Sequence, residues 1–268
     1  MDKGTITGLL LGVGGILAGL ILEGGNVGQI IQPTAAMIVF GGTFGAVLIQ
    51  FPLQVSLTAL QRLVSIFIEP RSNFEEVISH LVSYANKARR DGIVSLDSSL
   101  ESIDDPFMKK ALMLAVDGTE PQELRKIMEV GLDNTAESEE NYARVFESAG
   151  GFSPTIGIIG AVLGLIQVMQ HLDNIDEVGK GIAVAFVATV YGVGAANLFF
   201  LPAAGKLRHN ARQQEVMKEM MLEGVISILE GMNPRMLETK LTGYLAKPKT
   251  VKDVSGAPAS VIQESEPA

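Results

Sequence analysis

Two uncharged stretches decide the fold: Ser148–Gln170, SAGGFSPTIGIIGAVLGLIQVMQ, and Gly181–Gly205, GIAVAFVATVYGVGAANLFFLPAAG. An α-helix rises about 1.5 Å per residue, so their lengths of 23 and 25 residues make rods of roughly 35 Å, enough to cross a hydrocarbon core of about 30 Å. Each carries one proline, Pro154 near the start of the first and Pro202 near the end of the second. The ten residues between them, His171–Lys180, leave room only for a tight turn. The reading is therefore two adjacent, antiparallel membrane helices.

Outward from this pair, two more apolar windows precede it. Gly4–Leu22 has no distinct basic region before it, which fits a short retained span better than a cleavable signal. Its Gly4, Gly8 and Gly12, and again Gly15 and Gly19, are spaced by four, the small-xxx-small pattern that lets helix backbones approach in lipid. From Gly24 to Gln61 no charge appears, a run too long for one span. Gly24, Gly25, Asn26, Gly28 and Pro33 break it at the front, and Pro33 suits the first turn of a helix because its missing N–H has no partner there anyway. The second span is expected over Thr34–Leu53, with Pro52 near its end. The expected fold class is all-α, an integral membrane protein with four transmembrane helices and a cytoplasmic helical domain.

The segment 62–147 differs in composition, with 10 Lys or Arg against 17 Asp or Glu. Ser72 with Glu75 forms a capping-box signature ahead of FEEVISHLVSYANKARR, in which Phe74, Val77, Ile78, Leu81 and Val82 fall at helical spacing. Asp91-Gly92 is a stop, and short helices are expected over Ile93–Ser102 and Pro106–Val116, followed by a long one opening at Thr119. Residues 206–246 form an amphipathic helix ending at Gly231–Pro234 and a shorter one to Tyr244. The tail 247–268, rich in Pro, Ser, Gly and charge, is expected to be disordered. The remaining divisions are 1–61 for the first two spans and 148–205 for the last two. Lys and Arg crowd the middle segment and the region after Gly205, while Glu23–Pro33 has none and His171–Lys180 has one. Arg62, Arg71, Lys206, Arg208 and Arg212 lie close to membrane ends, which places both termini and the helical domain on the cytoplasmic side.

Composition excludes several chemistries. A net charge of −9 argues against a nucleic-acid partner. The absence of cysteine removes disulfides, thiol catalysis and cysteine-ligated metal. There is no GxxxxGK[ST] loop and no HExxH, and His80, His171 and His209 sit in different segments without ligand spacing. Gly192-x-Gly194 has no strand before it and reads as helix packing. No enzyme and no cofactor is expected. Within the spans no Asp, Glu, Lys, Arg or His lies well inside. An ion path through lipid needs such a group, so any ion conduction requires a partner to supply it. The spans offer small residues instead: Gly157, Gly160, Ala161 and Gly164 on one, and Gly181, Ala185, Ala188, Gly192 and Ala195 on the other, with Thr189 beside them. These faces can pack on each other or on an inserted helix.

The runs SPTIGIIGAVLGLIQVMQHLDN, AVAFVATVYGVGAANLFFLP and LEGVISILEGMNPRMLETKL, with ARRDGIVSLDSSLE and MLAVDG upstream, resemble the MotA/PomA flagellar stator family within the MotA/TolQ/ExbB proton-channel superfamily. The resemblance covers about Gly4–Tyr244. It implies a pentamer around a dimer of MotB-like partners, each crossing the bacterial inner membrane once, carrying the ion-binding aspartate and binding peptidoglycan outside. Ion flow would drive torque on a FliG-like rotor switch protein.

By the same resemblance, Pro154 and Pro202 match the family's functional prolines and Thr189 its hydroxyl residue in the fourth span. Thr189 has a plain alternative, a bond back to its own helix. Ala161 stands where sodium-driven members tend to carry threonine; alanine offers no oxygen, which favours protons. Arg89 and Asp97 match the charged rotor-facing pair, with Asp where Glu is common, and Arg90 and Glu101 are neighbours able to share that role. A TolQ/ExbB-like energiser of envelope transport is the alternative, but such members usually have one span before the large cytoplasmic domain and this chain has two. A membrane-bound enzyme or substrate transporter is disfavoured by the lack of buried ionisable groups.

Overall fold

A computed structural model describes residues 2–68 and 73–245. All regular elements among the described residues are helical. They are α1 (Lys3–Leu22), α2 (Pro33–Gln50), α3 (Leu53–Leu63), α4 (Phe74–Asp91), α5 (Pro106–Val116), α6 (Pro121–Gln170), α7 (Ile175–Leu229) and α8 (Pro234–Thr242). Four of these, α1, α2, α6 and α7, are long and apolar enough to cross a membrane, as the sequence reading requires.

Local chemistry sets the boundaries. Asp2 caps α1 by accepting from the N–H groups of Gly4 and Thr5. The second span ends at Gln50 rather than at the expected Leu53. Phe51, which precedes a proline, is pushed into the extended region at φ −119°, ψ 144°, and Pro52 then opens a separate helix. That helix, α3, was not anticipated. It continues into a 3₁₀ turn over Val64–Phe67.

The expected cap Ser72 lies outside the described residues. Asn73 caps α4, accepting from the Glu76 N–H, so the signal is displaced by one position. Gly92 ends α4 at φ +83°, a conformation that favours glycine. Ile93–Ser102 is a 3₁₀ helix rather than an α-helix. Ser95, Ser98 and Ser102 each donate a hydroxyl to the carbonyl three residues back, which reinforces the tighter i→i+3 turn. Pro106–Val116 is helical as expected, capped by Asp105 with Pro106 in its first turn. The connection between the last two spans is shorter than expected, because Asn174 caps α7 and Ile175–Lys180 is already helix. The tail 247–268 lies outside the described residues.

Two features of α6 and α7 matter for the site. Each is one continuous helix, of 50 and 55 residues, so the changes of composition at 147 and 205 occur inside helices. Pro154 therefore sits in a helix interior rather than near a helix start.

The described residues form two compact units, one within 2–68 and 126–217, the other within 73–125 and 218–245. In the first, Val47, Ala59, Ile66, Phe146, Phe200 and Leu207 belong to one buried cluster. Arg208 makes a bidentate contact to Glu140, both bonds 2.9 Å, and a third to Glu147 at 2.9 Å. Arg62 pairs with Glu139 at 2.6 Å. In the second unit, Leu81, Leu96, Leu112, Met220, Val225 and Leu237 are fully buried. Glu223 receives Arg125 at 2.7 Å and also pairs with Lys240, whose ammonium donates to Ser227 at 3.1 Å.

Candidate functional site

The small faces of α6 and α7 pack on each other. A Cβ added to Gly157 would lie 2.9 Å from the Ala188 carbonyl oxygen, and one on Gly164 would lie 2.7 Å from that of Gly181. On Gly192 it would lie 2.6 Å from the Ser153 oxygen and 3.3 Å from the Pro154 Cα. These are backbone atoms, so only glycine allows the approach. This resolves the choice left open by the sequence, in favour of helix against helix. Gly192 serves packing, as its dinucleotide-like spacing was taken to. What α6 and α7 leave exposed is the opposite kind of surface, with Ile158, Val162, Ile166, Phe186, Val190 and Val193 outward.

Pro154 is level with Gly192 in this pair and half-buried. Having no N–H, it leaves the Gly150 carbonyl without its helical donor. Gly150 in turn packs against the side chain of Leu201, at 2.6 Å from an added Cβ. Ser153, next to Pro154, is fully buried and its hydroxyl has no hydrogen-bond partner among the described residues. Sequence reasoning passed over Ser153; the signal available was a hydroxyl residue directly before an interior proline.

Thr189 is half-buried and its hydroxyl donates to the Ala185 carbonyl at 3.2 Å, the back-bond that stood as its plain alternative. Ala161 is half-buried on α6. Pro202 is exposed and follows a π turn over Ala196–Phe200, in which the Leu201 N–H reaches the Ala196 carbonyl, five residues back. The turn shifts the hydrogen-bond ladder by one residue just ahead of the proline that interrupts it. The two prolines are not brought together. Pro202 is ten residues beyond Gly192, or roughly 15 Å along the helix.

Pro202 lines a cavity of about 480 Å³ between α1 and α7. Asp2 and Lys206 form an ion pair there, and the Asp2 backbone N–H donates to the Phe67 carbonyl at 2.9 Å. The hydrogen bond from Lys206 holds the Asp2 carboxyl down at about 2.

Arg89, Arg90, Asp97 and Glu101 are all exposed. Arg90 pairs with Asp91 at 3.0 Å, and that bond holds the Asp91 carboxyl below the usual carboxylate range. Among the described residues, Arg89, Asp97 and Glu101 have no ion-pair partner. Lys87, which the sequence did not single out, fastens α4 to the 3₁₀ helix by donating to Ser98 at 3.0 Å and Ser99 at 2.9 Å. The reversal at Gly92 and these bonds fasten the end of α4, with Arg89 and Arg90, to the 3₁₀ helix that carries Asp97 and Glu101. Among the described residues there is no acid–His cluster able to hold a metal.

Two glycine-packed spans with interrupted ladders, joined to a charged helical unit, define a multi-span membrane protein of the all-α class. The MotA/TolQ/ExbB proton channel family model matches residues 99–220, and the motility protein A N-terminal model matches residues 6–92. Motility protein A of Bacillus subtilis is 36% identical over 246 residues, 91% of either chain. Chemotaxis protein PomA of Vibrio alginolyticus is 29% identical, over 95% of this chain and 97% of PomA. Among solved structures, that of C. jejuni MotAB aligns with a TM-score of 0.87 at 34% identity, covering 94% of this chain and 100% of that one. The flagellar MotAB stator complex from Bacillus subtilis aligns with a TM-score of 0.84 at 36% identity, over 91% of this chain and 96% of that one. The chain belongs to the MotA/PomA flagellar motor stator family, whose role is that of a stator proton channel. The motility-type N-terminal match, over both leading spans, favours this branch over a TolQ/ExbB-like energiser.

Proposed function

We propose that this chain forms a pentamer around a dimer of a MotB-like partner in the bacterial inner membrane, and turns proton flow into torque on a FliG-like rotor protein. The partner contributes a single span with the ion-binding aspartate, and peptidoglycan binding outside. Both termini of this chain and the 62–147 segment lie in the cytoplasm. The observation that carries the reading is the pairing of spans without any ionisable group with backbone interruptions at Pro154 and before Pro202. A carboxylate from outside the chain is the missing titrating group.

Proton binding and release at that carboxylate changes one charge beside α6. The freed Gly150 carbonyl, where Pro154 interrupts the hydrogen-bond ladder, makes the local backbone responsive to it. The backbone-to-backbone contacts at Gly157, Gly164 and Gly192 leave no side chain to absorb the shift, so α7 follows α6. The π turn ahead of Pro202 is a second hinge, and Thr189 and Ala161 border the path. Ala161 places a methyl where an oxygen would help strip water from sodium, hence protons. Arg89 and Asp97, with Arg90 and Glu101 beside them, meet complementary rotor charges, which steer repeated engagement without tight binding.

Swimming speed of cells relying on this stator tests ion choice: a protonophore stops it and sodium leaves it unchanged, whereas strict sodium dependence overturns the assignment. Pro154→Ala or Pro202→Leu leaves flagella assembled and paralysed. Normal swimming in both variants removes the prolines from the mechanism.

A further inference from the structure

The cavity between α1 and α7 shares Pro202 and part of the π turn with the mechanism above, but its α1 wall and its Asp2–Lys206 mouth have no role there. It lies where two membrane spans reach the end of the hydrocarbon layer: Asp2 caps the start of α1, and Lys206 follows the last uncharged residue of the fourth span. Its volume of about 480 Å³ is in the range of small-molecule sites, roughly 300–1,000 Å³. Its wall on α1 is Gly4, Gly8, Leu9 and Gly12, and on α7 it is chiefly Leu198, Phe199 and Pro202. A Cβ on Gly8 would meet nothing within 4 Å, so the space beside that helix is open. None of α1 is buried, and a Cβ on Gly12 would meet the Leu198 side chain of α7 at 3.2 Å.

An apolar furrow that opens at a membrane span is filled by what surrounds it, the acyl chains of the bilayer. The mouth is not apolar. It holds one carboxylate and one ammonium, Asp2 and Lys206, paired with each other. A phosphate alone would meet Lys206 but be repelled by Asp2. A headgroup with both a phosphodiester and a primary amine matches both, with phosphate on Lys206 and ammonium on Asp2, and its acyl chain lies along the glycine face. Basic groups between spans near the membrane surface are suited to lipid headgroups. We infer that this cavity is a binding site for an aminophospholipid, phosphatidylethanolamine in chemical type.

The test uses the full chain, purified with its partner in nanodiscs of phosphatidylethanolamine, phosphatidylcholine or phosphatidylglycerol, with retained lipid read by native mass spectrometry. The expected result is a retained lipid adduct in phosphatidylethanolamine that is lost or much reduced in the other two. Gly8→Leu fills the furrow and abolishes the adduct. Asp2→Asn keeps the cap on α1, since asparagine caps as well as aspartate, but removes the selectivity for the amine, and Lys206→Gln weakens retention of every headgroup. Three results overturn the inference: equal retention of all three lipids by the unaltered chain, an adduct undiminished in Gly8→Leu, or a structure of the assembly in which side chains of a neighbouring copy occupy the furrow.

Discussion

The α6–α7 membrane pair and the helical unit of 73–125 and 218–245 solve the same packing problem with opposite means. In the membrane pair, contact is made by removing side chains. Gly157, Gly164, Gly181 and Gly192 bring backbone against backbone, and the large residues Ile158, Val162, Phe186 and Val190 face outward. In the helical unit the large residues are inside. Leu81 is fully buried, its Cδ1 2.6 Å from where a Cβ on Gly224 would lie. The cause is the solvent. Lipid tails are as apolar as leucine, so burying leucine between spans gains little, and close van der Waals approach decides. Water expels leucine, so burial itself drives the second unit. A backbone contact also passes displacement on without loss, which suits a pair that must move together.

Four substitutions break or sharpen this contrast. Leu81→Ala has the largest effect on stability: it empties a filled site and costs about 3 kcal/mol, read as a lower denaturation midpoint of the purified chain. Hydrogen exchange in the same variant should rise in α4, α8 and the end of α7 around Gly224, and stay level in the membrane-spanning parts of α6 and α7. Gly192→Ala comes next. Its methyl meets the Ser153 oxygen and Pro154 Cα, which cannot swing away, and overpacking of this kind costs roughly 2 kcal/mol. Ion flux through the assembled complex is expected to fall sharply. A variant with full flux would show that the pair tolerates separation and that close approach is not what transmits motion.

Gly224→Ala is the matched control. Its methyl meets the far end of the Leu81 side chain, which can rotate, and alanine gains about 1 kcal/mol of helix propensity. The net change is expected within about 0.5 kcal/mol of zero, by chemical denaturation. A loss as large as that of Gly192→Ala would erase the distinction between backbone and side-chain contacts. The smallest stability effect is that of Arg89→Ala. An exposed charge without an ion-pair partner among the described residues should leave stability within about 0.5 kcal/mol. Motility in soft agar is expected to fall only in part, since Arg90, Asp97 and Glu101 remain. Complete paralysis would mean that the charged end acts through one residue rather than as a patch.

Periodicity and local stop signals carried much of the fold. The four apolar windows each became a long helix, and Gly92, Pro106 and the Gly231–Pro234 break acted where the sequence placed them, because such stop signals work within a few residues. The misreadings were of two kinds. The end of α2 and the helix α3 turned on a single residue before a proline, and the 3₁₀ form of Ile93–Ser102 turned on serine hydroxyls choosing carbonyls three residues back. Both are near ties between local geometries. Pro154 was legible as important but not as an interior residue, since the change from charged to apolar composition at 147 looked like a helix boundary. Backbone hydrogen bonding continues across such a change unbroken.

The sequence by itself determined that four apolar windows are long enough to cross a membrane and that none carries an Asp, Glu, Lys, Arg or His well inside it. Those are properties of length and residue type, which no folding can alter. Only the tertiary structure decided what the glycines face. A small residue at helical spacing suits a neighbour within the chain and an inserted helix equally well, and that choice depends on which backbones come within contact distance. The same holds for Pro202 and the cavity it shares with Gly4, Gly8, Asp2 and Lys206. Residues nearly two hundred positions apart share one wall there, and no local rule in the chain connects them.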